Sequence, residues 1–226
     1  MVRAAGHLMT ETVVTEMQME IVINSIGECT LPIAYHHIQQ SAIYALIQGD
    51  LHDNGVSYEK RNYKLFTFGP FDGKYKIANK KITFIDRMKF EFRCHDVGIM
   101  EAVKDNLERN GFRLGDIVYR DIETKLSNVE LPNGKIRIKM TSPICVYETD
   151  ESKHTYYYSP DDERFVESVI SNFERKYVAT FGKNPREELA FEVLKFMDRD
   201  KYITKYKGIL IEAWKGVFSL EGPSIE

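Results

Sequence analysis

Residues 96–111 read DVGIMEAVKDNLERNG, and how they fold decides the architecture. Met100, Val103 and Leu107 recur at helical spacing and form one apolar stripe. Asp96 precedes the stripe as a side-chain cap, and Gly111 follows it as a stop. The spacing predicts a helix over Val97–Asn110. Upstream, Lys74–Ala78 and Lys81–Cys94 are rich in Lys, Ile and Phe and read as strands. Gly69-Pro70 and Asp72-Gly73 mark turns before them. Tyr63–Phe68 reads as a further strand, which carries Lys64. Earlier still, Met19–Asn24 reads as a strand and Tyr35–Gln48, after the break at Pro32, as a helix. Downstream, Ile117–Leu126 completes the set as a strand. The order β-α-β-β-α-β is the ferredoxin-like arrangement.

The remaining chain reads as a second pass of similar shape. Ser127–Gly134 is polar and ends in Pro-Asn-Gly, as an inter-domain connection would. Lys135–Glu148 and Thr155–Tyr158 read as strands. Ser159-Pro160 opens a helix over Asp161–Thr180, with Phe165, Val169, Phe173 and Tyr177 on one face and Gly182 at its end. Residues Glu187–Met197 fit neither pattern cleanly. Tyr202–Lys207 and Ile209–Leu220 read as strands. The expectation is therefore an α+β protein of two tandem ferredoxin-like domains, 17–126 and 135–226, joined by 127–134. The second pass stops before its closing helix and strand. Residues 1–16 lack the apolar core of a signal peptide and read as a disordered leader or tag.

Composition narrows the function classes. With 226 residues, 43% hydrophobic and 29% charged, the chain is an ordinary globular one, and no apolar run reaches the ~18 residues of a membrane span. Cys29, Cys94 and Cys145 are few and far apart, with no C-x-x-C, which suits a reducing cytoplasm rather than a disulfide framework or zinc knuckle. The net charge of −3 argues against indiscriminate polyanion binding. Yet Tyr58–Arg93 holds ten basic residues against four acidic ones, so one face can attract phosphate. A solvated lysine-rich hairpin would look the same.

Several chemistries are missing. Gly69–Lys74 (GPFDGK) has the wrong glycine spacing for a P-loop. No metal-ligand motif, nucleophile elbow or RNA-recognition octapeptide is visible, so no cofactor is expected. The stretch Tyr44–Phe68, YALIQGDLHDNGVSYEKRNYKLFTF, is the exception. By helical phase Tyr35, Ile38, Ala42, Ala45 and Leu46 form the core face of the first helix. Tyr44 falls almost opposite, beside His37 and Gln48. Gly49 and Gly55 bracket a polar loop carrying His52, whose side chain can exchange a proton near neutrality. A cation at Lys64 could stabilise charge developing on a phosphate oxygen. Taken alone, each residue reads as a surface side chain sooner than as a catalytic one. Together they supply a proton acceptor, a proton donor and a cation, enough for a ribose 2′-hydroxyl to attack the adjacent phosphate without a metal.

The segments YHHIQQSAIYALI, LHDNG and YKLFTFGPF, followed by TSPICVYE, FERKYVATFGKNP and AWKGVFSLEG, resemble in order and spacing the CRISPR repeat-RNA endoribonucleases, the Cas-six family of the RAMP superfamily. The resemblance runs from about Met17 to Gly222. It implies metal-independent cutting of the precursor CRISPR transcript within each repeat, giving guide RNAs in a prokaryotic cytoplasm. It matches the family's catalytic Tyr, His and Lys to Tyr44, His52 and Lys64. Lys60, Arg61, Lys74 and Lys76, with His37, Lys205 and Lys207, are the expected RNA contacts. The family pattern continues into a glycine-rich loop that the sequence does not reach, so the second domain is expected to lack its last elements. An unpaired edge there would favour a homodimer. The competing expectations are a non-catalytic repeat-RNA-binding RAMP subunit and an interaction module within a CRISPR effector complex.

Overall fold

The residues KITFIDRMKFEFRC form the longest strand of the protein, and the first half of the chain is assembled along it. Residues 16–47, 55–59, 61–129, 134–206 and 209–222 are described by the computed structural model. In Lys81–Cys94, Phe84, Met88, Phe90, Phe92 and Cys94 are all buried and share the parity that puts them on one face. On one side this strand pairs with Glu16–Ile23 (β1) and then with Glu28–Pro32 (β2). These two line one side of the long strand and are separated by a bulge: Ser25, Gly27 and, opposite them, Asp86 take positive φ, and Ile26 N–H donates to Asp86 O. On its other side the long strand pairs with Phe66–Phe68 and Asp72–Ala78. Asn79 and Lys80 both have positive φ, the geometry of a tight two-residue hairpin turn.

Numbered in chain order, the elements are β1 and β2, helix α1 (His36–Ile47), and strands β3 (Val56–Tyr58), β4 (Arg61–Tyr63), β5 (Phe66–Phe68), β6 (Asp72–Ala78) and β7 (Lys81–Cys94). Helix α2 (Val97–Asn110) and strands β8 (Phe112–Leu114), β9 (Ile117–Tyr119) and β10 (Ile122–Val129) follow. The sheet order β10-β1-β7, with β5 and β6 beyond β7, is the ferredoxin-like order. Helix α2 has the expected limits: Asp96 Oδ1 accepts from Ile99 N–H at 3.1 Å, and the Gly111 N–H closes the last turn on Leu107 O. A side chain at Gly111 would strike Tyr119 O, so the β8–β9 hairpin packs on a position only glycine can hold.

The core lies between the sheet and the two helices. Met19, Ile21, Ile23, Phe84 and Phe92 meet Ile43, Leu46 and Ile47 of α1 and Met100, Val103 and Leu107 of α2. Each such side chain, fully buried, contributes about 1.5–3 kcal/mol. Asn106 Nδ2 donates to Leu46 O at 2.8 Å, satisfying a carbonyl that the end of α1 would otherwise leave open.

The second unit comprises β11 (Ile136–Lys139), β12 (Tyr147–Thr149), β13 (Thr155–Tyr157), helix α3 (Glu163–Phe181), β14 (Ala190–Lys195), a short 3-10 turn, β15 (Lys201–Tyr206), β16 (Ile209–Trp214) and β17 (Val217–Glu221). Its sheet runs β11-β17-β14, and Phe165, Phe191 and Phe218 stack in its core. This is the α+β, tandem ferredoxin-like architecture expected. Among the described residues no helix is long and apolar enough to cross a membrane.

Several element limits differ from the sequence reading. Ile117–Leu126 is two strands, and β10 continues through Val129, so Ser127–Val129 pair with β1 instead of forming connection. Lys135–Glu148 divides into β11 and β12, with a bridge from Ile144 to Trp214 between them. Ile209–Leu220 also divides, because the chain leaves the β15–β16 hairpin at Trp214 and enters a different sheet at Val217. Asp162, not Ser159, caps α3. Phe173 and Tyr177, expected in its core stripe, instead line a 210 Å³ surface pocket with Pro185 and Leu189.

Candidate active site

Helix α1 supplies the first candidate group, and its orientation departs from the phase read in the sequence. The buried face is Gln39, Ala42, Ile43, Leu46 and Ile47, while Ala45 is exposed. The reason is Gln39. This polar residue is fully buried because its Nε2 donates to Gly69 O at 2.9 Å, tying α1 to the Gly69-Pro70 turn. The helix is thus rotated from the orientation its apolar residues alone suggest. Tyr35 strengthens the same tie: its buried hydroxyl accepts from Phe71 N–H at 3.0 Å, and burial raises its pKa.

The rotation leaves Tyr44 half-buried on the flank of the helix rather than opposite the core. Its ring meets Phe66 of β5 edge-on at 5.6 Å, and its hydroxyl accepts from Gln40 Nε2 at 3.0 Å. Phe66 in turn packs on Phe92 at 5.6 Å. Tyr44 therefore stands on a column of rings rooted in the core of the sheet.

Lys64 is the second group. It does not lie within a strand: Lys64 and Leu65 are the two residues between β4 and β5. The β3–β4 hairpin turns the chain so that Lys64 returns to α1. Its Nζ lies 5.9 Å from the centre of the Tyr44 ring, within reach of a cation–π contact. Gly55 holds this return in place. It has φ +62°, and a Cβ there would come within 2.5 Å of Tyr63 O and 3.1 Å of the Lys64 side chain.

His52 lies outside the described residues, as do Gly49, Lys60 and Lys207. The described residues that flank His52 in the chain are Ile47, at the end of α1, and Gly55, which lies against Lys64. Arg61 is on β4, and the backbone of Lys205 is on β15. His37 sits in the first turn of α1, its Nδ1 2.9 Å from Ala34 O. Its neighbour His36 stacks on Tyr35, and burial lowers its pKa. Lys74 and Lys76 are on β6, and Lys76 is ion-paired with Glu28 at 2.7 Å. By strand register, Lys76 opposes Thr83 and Phe66 opposes Cys94, a separation of about 35 Å along β7. Tyr44 and Lys64 are thus brought together, and the β6 lysines are not brought to them.

Arg61 also faces a wide cleft of about 1280 Å³ between the β3–β4 hairpin and the second unit. Arg164, Arg175 and Lys176 of α3 and Tyr147 of β12 line its far wall. Tyr63 Oη and Arg175 Nε are buried there without a hydrogen-bond partner among the described residues. The sequence reading passed over these α3 residues, since on a helix the Arg-Lys pair reads as solvated surface. Only the packing of α3 beside β3 brings them to the same cleft as Arg61. Among the described residues no group of three His, Cys, Asp or Glu side chains is placed to hold a metal ion.

Comparison with known proteins follows this geometry. Residues 126–225 match the family model described as CRISPR associated protein Cas6, C-terminal. Over 191 residues the chain is 26% identical to the CRISPR-associated endoribonuclease Cas6 1 of Methanocaldococcus jannaschii, covering 80% of this chain and 73% of that protein. A solved structure of a CRISPR associated protein Cas6 superposes with a TM-score of 0.70 at 23% identity, over 92% of this chain and 88% of that one. A structure described as a RAMP protein binding different RNA substrates gives 0.69 at 19% identity over the same shares. The family model matches the C-terminal part of the chain, the sequence relative spans most of it and the fold is shared, so the chain is similar to Cas6 proteins in each of these respects.

Proposed function

We propose that this protein is an endoribonuclease that cuts precursor CRISPR RNA within each repeat, releasing guide RNAs. The observation that carries the reading is the Lys64 ammonium held against the Tyr44 ring, in a chain whose curated relative is an endoribonuclease. In the proposed reaction the 2′-hydroxyl loses its proton to a general base and attacks the adjacent phosphorus. The bond to the 5′-oxygen breaks, and that oxygen takes a proton from a general acid. The products are a 2′,3′-cyclic phosphate and a 5′-hydroxyl. Tyr44 and His52 share the acid and base roles, and Lys64 stabilises the added negative charge on the phosphate. No metal ion enters these steps.

Arg61 and the cations of α3 hold the RNA backbone along the cleft in this reading, while Lys74 and Lys76 touch only RNA distant from the cut. Residues 17–129 act as the catalytic domain and 135–226 as the second RNA-holding domain. The test is cleavage of the host's own repeat RNA in EDTA. Cleavage is expected, and a 2′-deoxy substitution immediately 5′ of the cut should block it. Intact RNA beside an active control enzyme would refute the reading. Binding without cutting would leave a repeat-RNA-binding RAMP subunit instead.

A further inference from the structure

The outer edge of the first sheet points to a partner. Strand β10, with sequence IETKLSNV, pairs among the described residues with β1 alone. Its side chains from Glu123 to Asn128 are exposed apart from Thr124, and Leu126 is 50% exposed. The direction of its backbone groups follows from one hydrogen bond. Asn24 N–H donates to Asp121 O at 2.8 Å, and the β1–β10 pairing continues that register. In an antiparallel ladder such pairs alternate, so Glu123, Lys125 and Ser127 turn their backbone groups towards β1. Those of Ile122, Thr124, Leu126 and Asn128 face outwards.

We propose that this edge is a homodimer interface in which β10 pairs antiparallel with β10 of a second copy about a twofold axis at Thr124. Isologous pairing requires the strand to complement itself, and this register does. Thr124 opposes its own copy, with outward-facing backbone groups on both sides. Ile122 opposes Leu126 of the partner subunit, also with outward-facing groups, so about six backbone hydrogen bonds form. The exposed Leu126 side chain gains an apolar neighbour. On the other face Glu123 opposes Lys125 of the partner subunit, twice by symmetry. Sliding the axis by one residue to Lys125 sets lysine against lysine, and sliding it to Glu123 sets glutamate against glutamate. A lone lysine on a strand edge opposes pairing; here Glu123, two residues earlier, supplies the opposite charge. The edge belongs to the first sheet, away from the unpaired second-sheet edge anticipated in the sequence. Edge pairing buries little area, so the dimer is a weak one.

Sedimentation velocity of the full chain without RNA, at low salt and over a wide concentration range, tests this. A concentration-dependent monomer–dimer equilibrium is expected. Lys125→Glu sets Glu against Glu twice and should weaken association about tenfold or more. The charge-exchanged double variant, Glu123→Lys with Lys125→Glu, is again self-complementary and should restore it. Thr124→Pro removes an outward N–H from an edge strand and should give a monomer. Circular dichroism and melting confirm that each variant is folded. A chain that stays monomeric throughout overturns the proposal. So does a dimer indifferent to Lys125→Glu and Thr124→Pro, or a charge exchange that restores nothing.

Discussion

Phe66→Ala links the packing of the candidate site to its chemistry. Phe66 stands between Tyr44 and Phe92, 5.6 Å from each ring centre, and is partly buried against the first core. A fully buried Phe→Ala change costs about 3–5 kcal/mol, and at this half-buried position roughly half of that, about 2 kcal/mol. The two lost ring contacts, at about 0.5–1.5 kcal/mol each, form much of the loss. The change removes the ring beneath Tyr44, so the phenol and the Lys64 ammonium above it should lose part of their fixed relation. Misplacement of about 1 Å at a reacting centre can cost up to about a hundredfold in rate, and a tenfold to hundredfold fall is expected here. Urea unfolding gives the first quantity. Single-turnover cleavage of repeat RNA at saturating protein, under conditions where the variant is folded, gives the second. Phe66→Leu should recover most of the stability and part of the rate. A stability change under about 0.5 kcal/mol would refute the packing argument. Normal cleavage by a destabilised variant would refute the positioning of Tyr44 by Phe66.

Other outcomes follow from the same geometry. Lys64→Ala should lower the single-turnover rate about a hundredfold while changing RNA affinity much less, measured by rapid quench and filter binding. Tyr35→Phe removes the acceptor for the buried Phe71 N–H and should destabilise by about 1–2 kcal/mol in urea titrations, with the spectrum of the folded state unchanged. Glu20 has its pKa lowered by the hydrogen bond from Lys89. A carboxylate depressed in the folded state stabilises above its unfolded pKa, and that contribution is lost as pH falls through the folded value. Glu20→Gln should therefore flatten the acid side of the stability profile, from the ordinary carboxylate range downward, and leave the alkaline side unchanged. Thermal melts across that range provide the measurement.

The first unit was legible where a local signal coincided with the tertiary outcome. Helix α2 is set by its own stripe and by caps one residue beyond each end, all encoded within sixteen consecutive residues. Strand β7 is set by alternation along its own length. The failures arise where a distant partner decides. The phase of α1 depended on Gln39, which looks like a surface residue until Gly69 O, thirty positions away, accepts its amide proton. The break between β16 and β17 falls at Lys215-Gly216, a mark too slight by itself to show that the strands on its two sides belong to different sheets.

For the candidate site the division is similar. The sequence alone determined the identities of Tyr44, His52 and Lys64 and their order along the chain, since motif spacing is a property of covalent connection. It could not determine that Lys64 leaves the ladder between β4 and β5 and turns back over Tyr44, nor that Arg61 shares a cleft with the cations of α3. Those placements come from the β3–β4 hairpin, the ring column on Phe92 and the docking of α3. Each is a contact between residues far apart in the chain, and its energy exists only once both sides are folded.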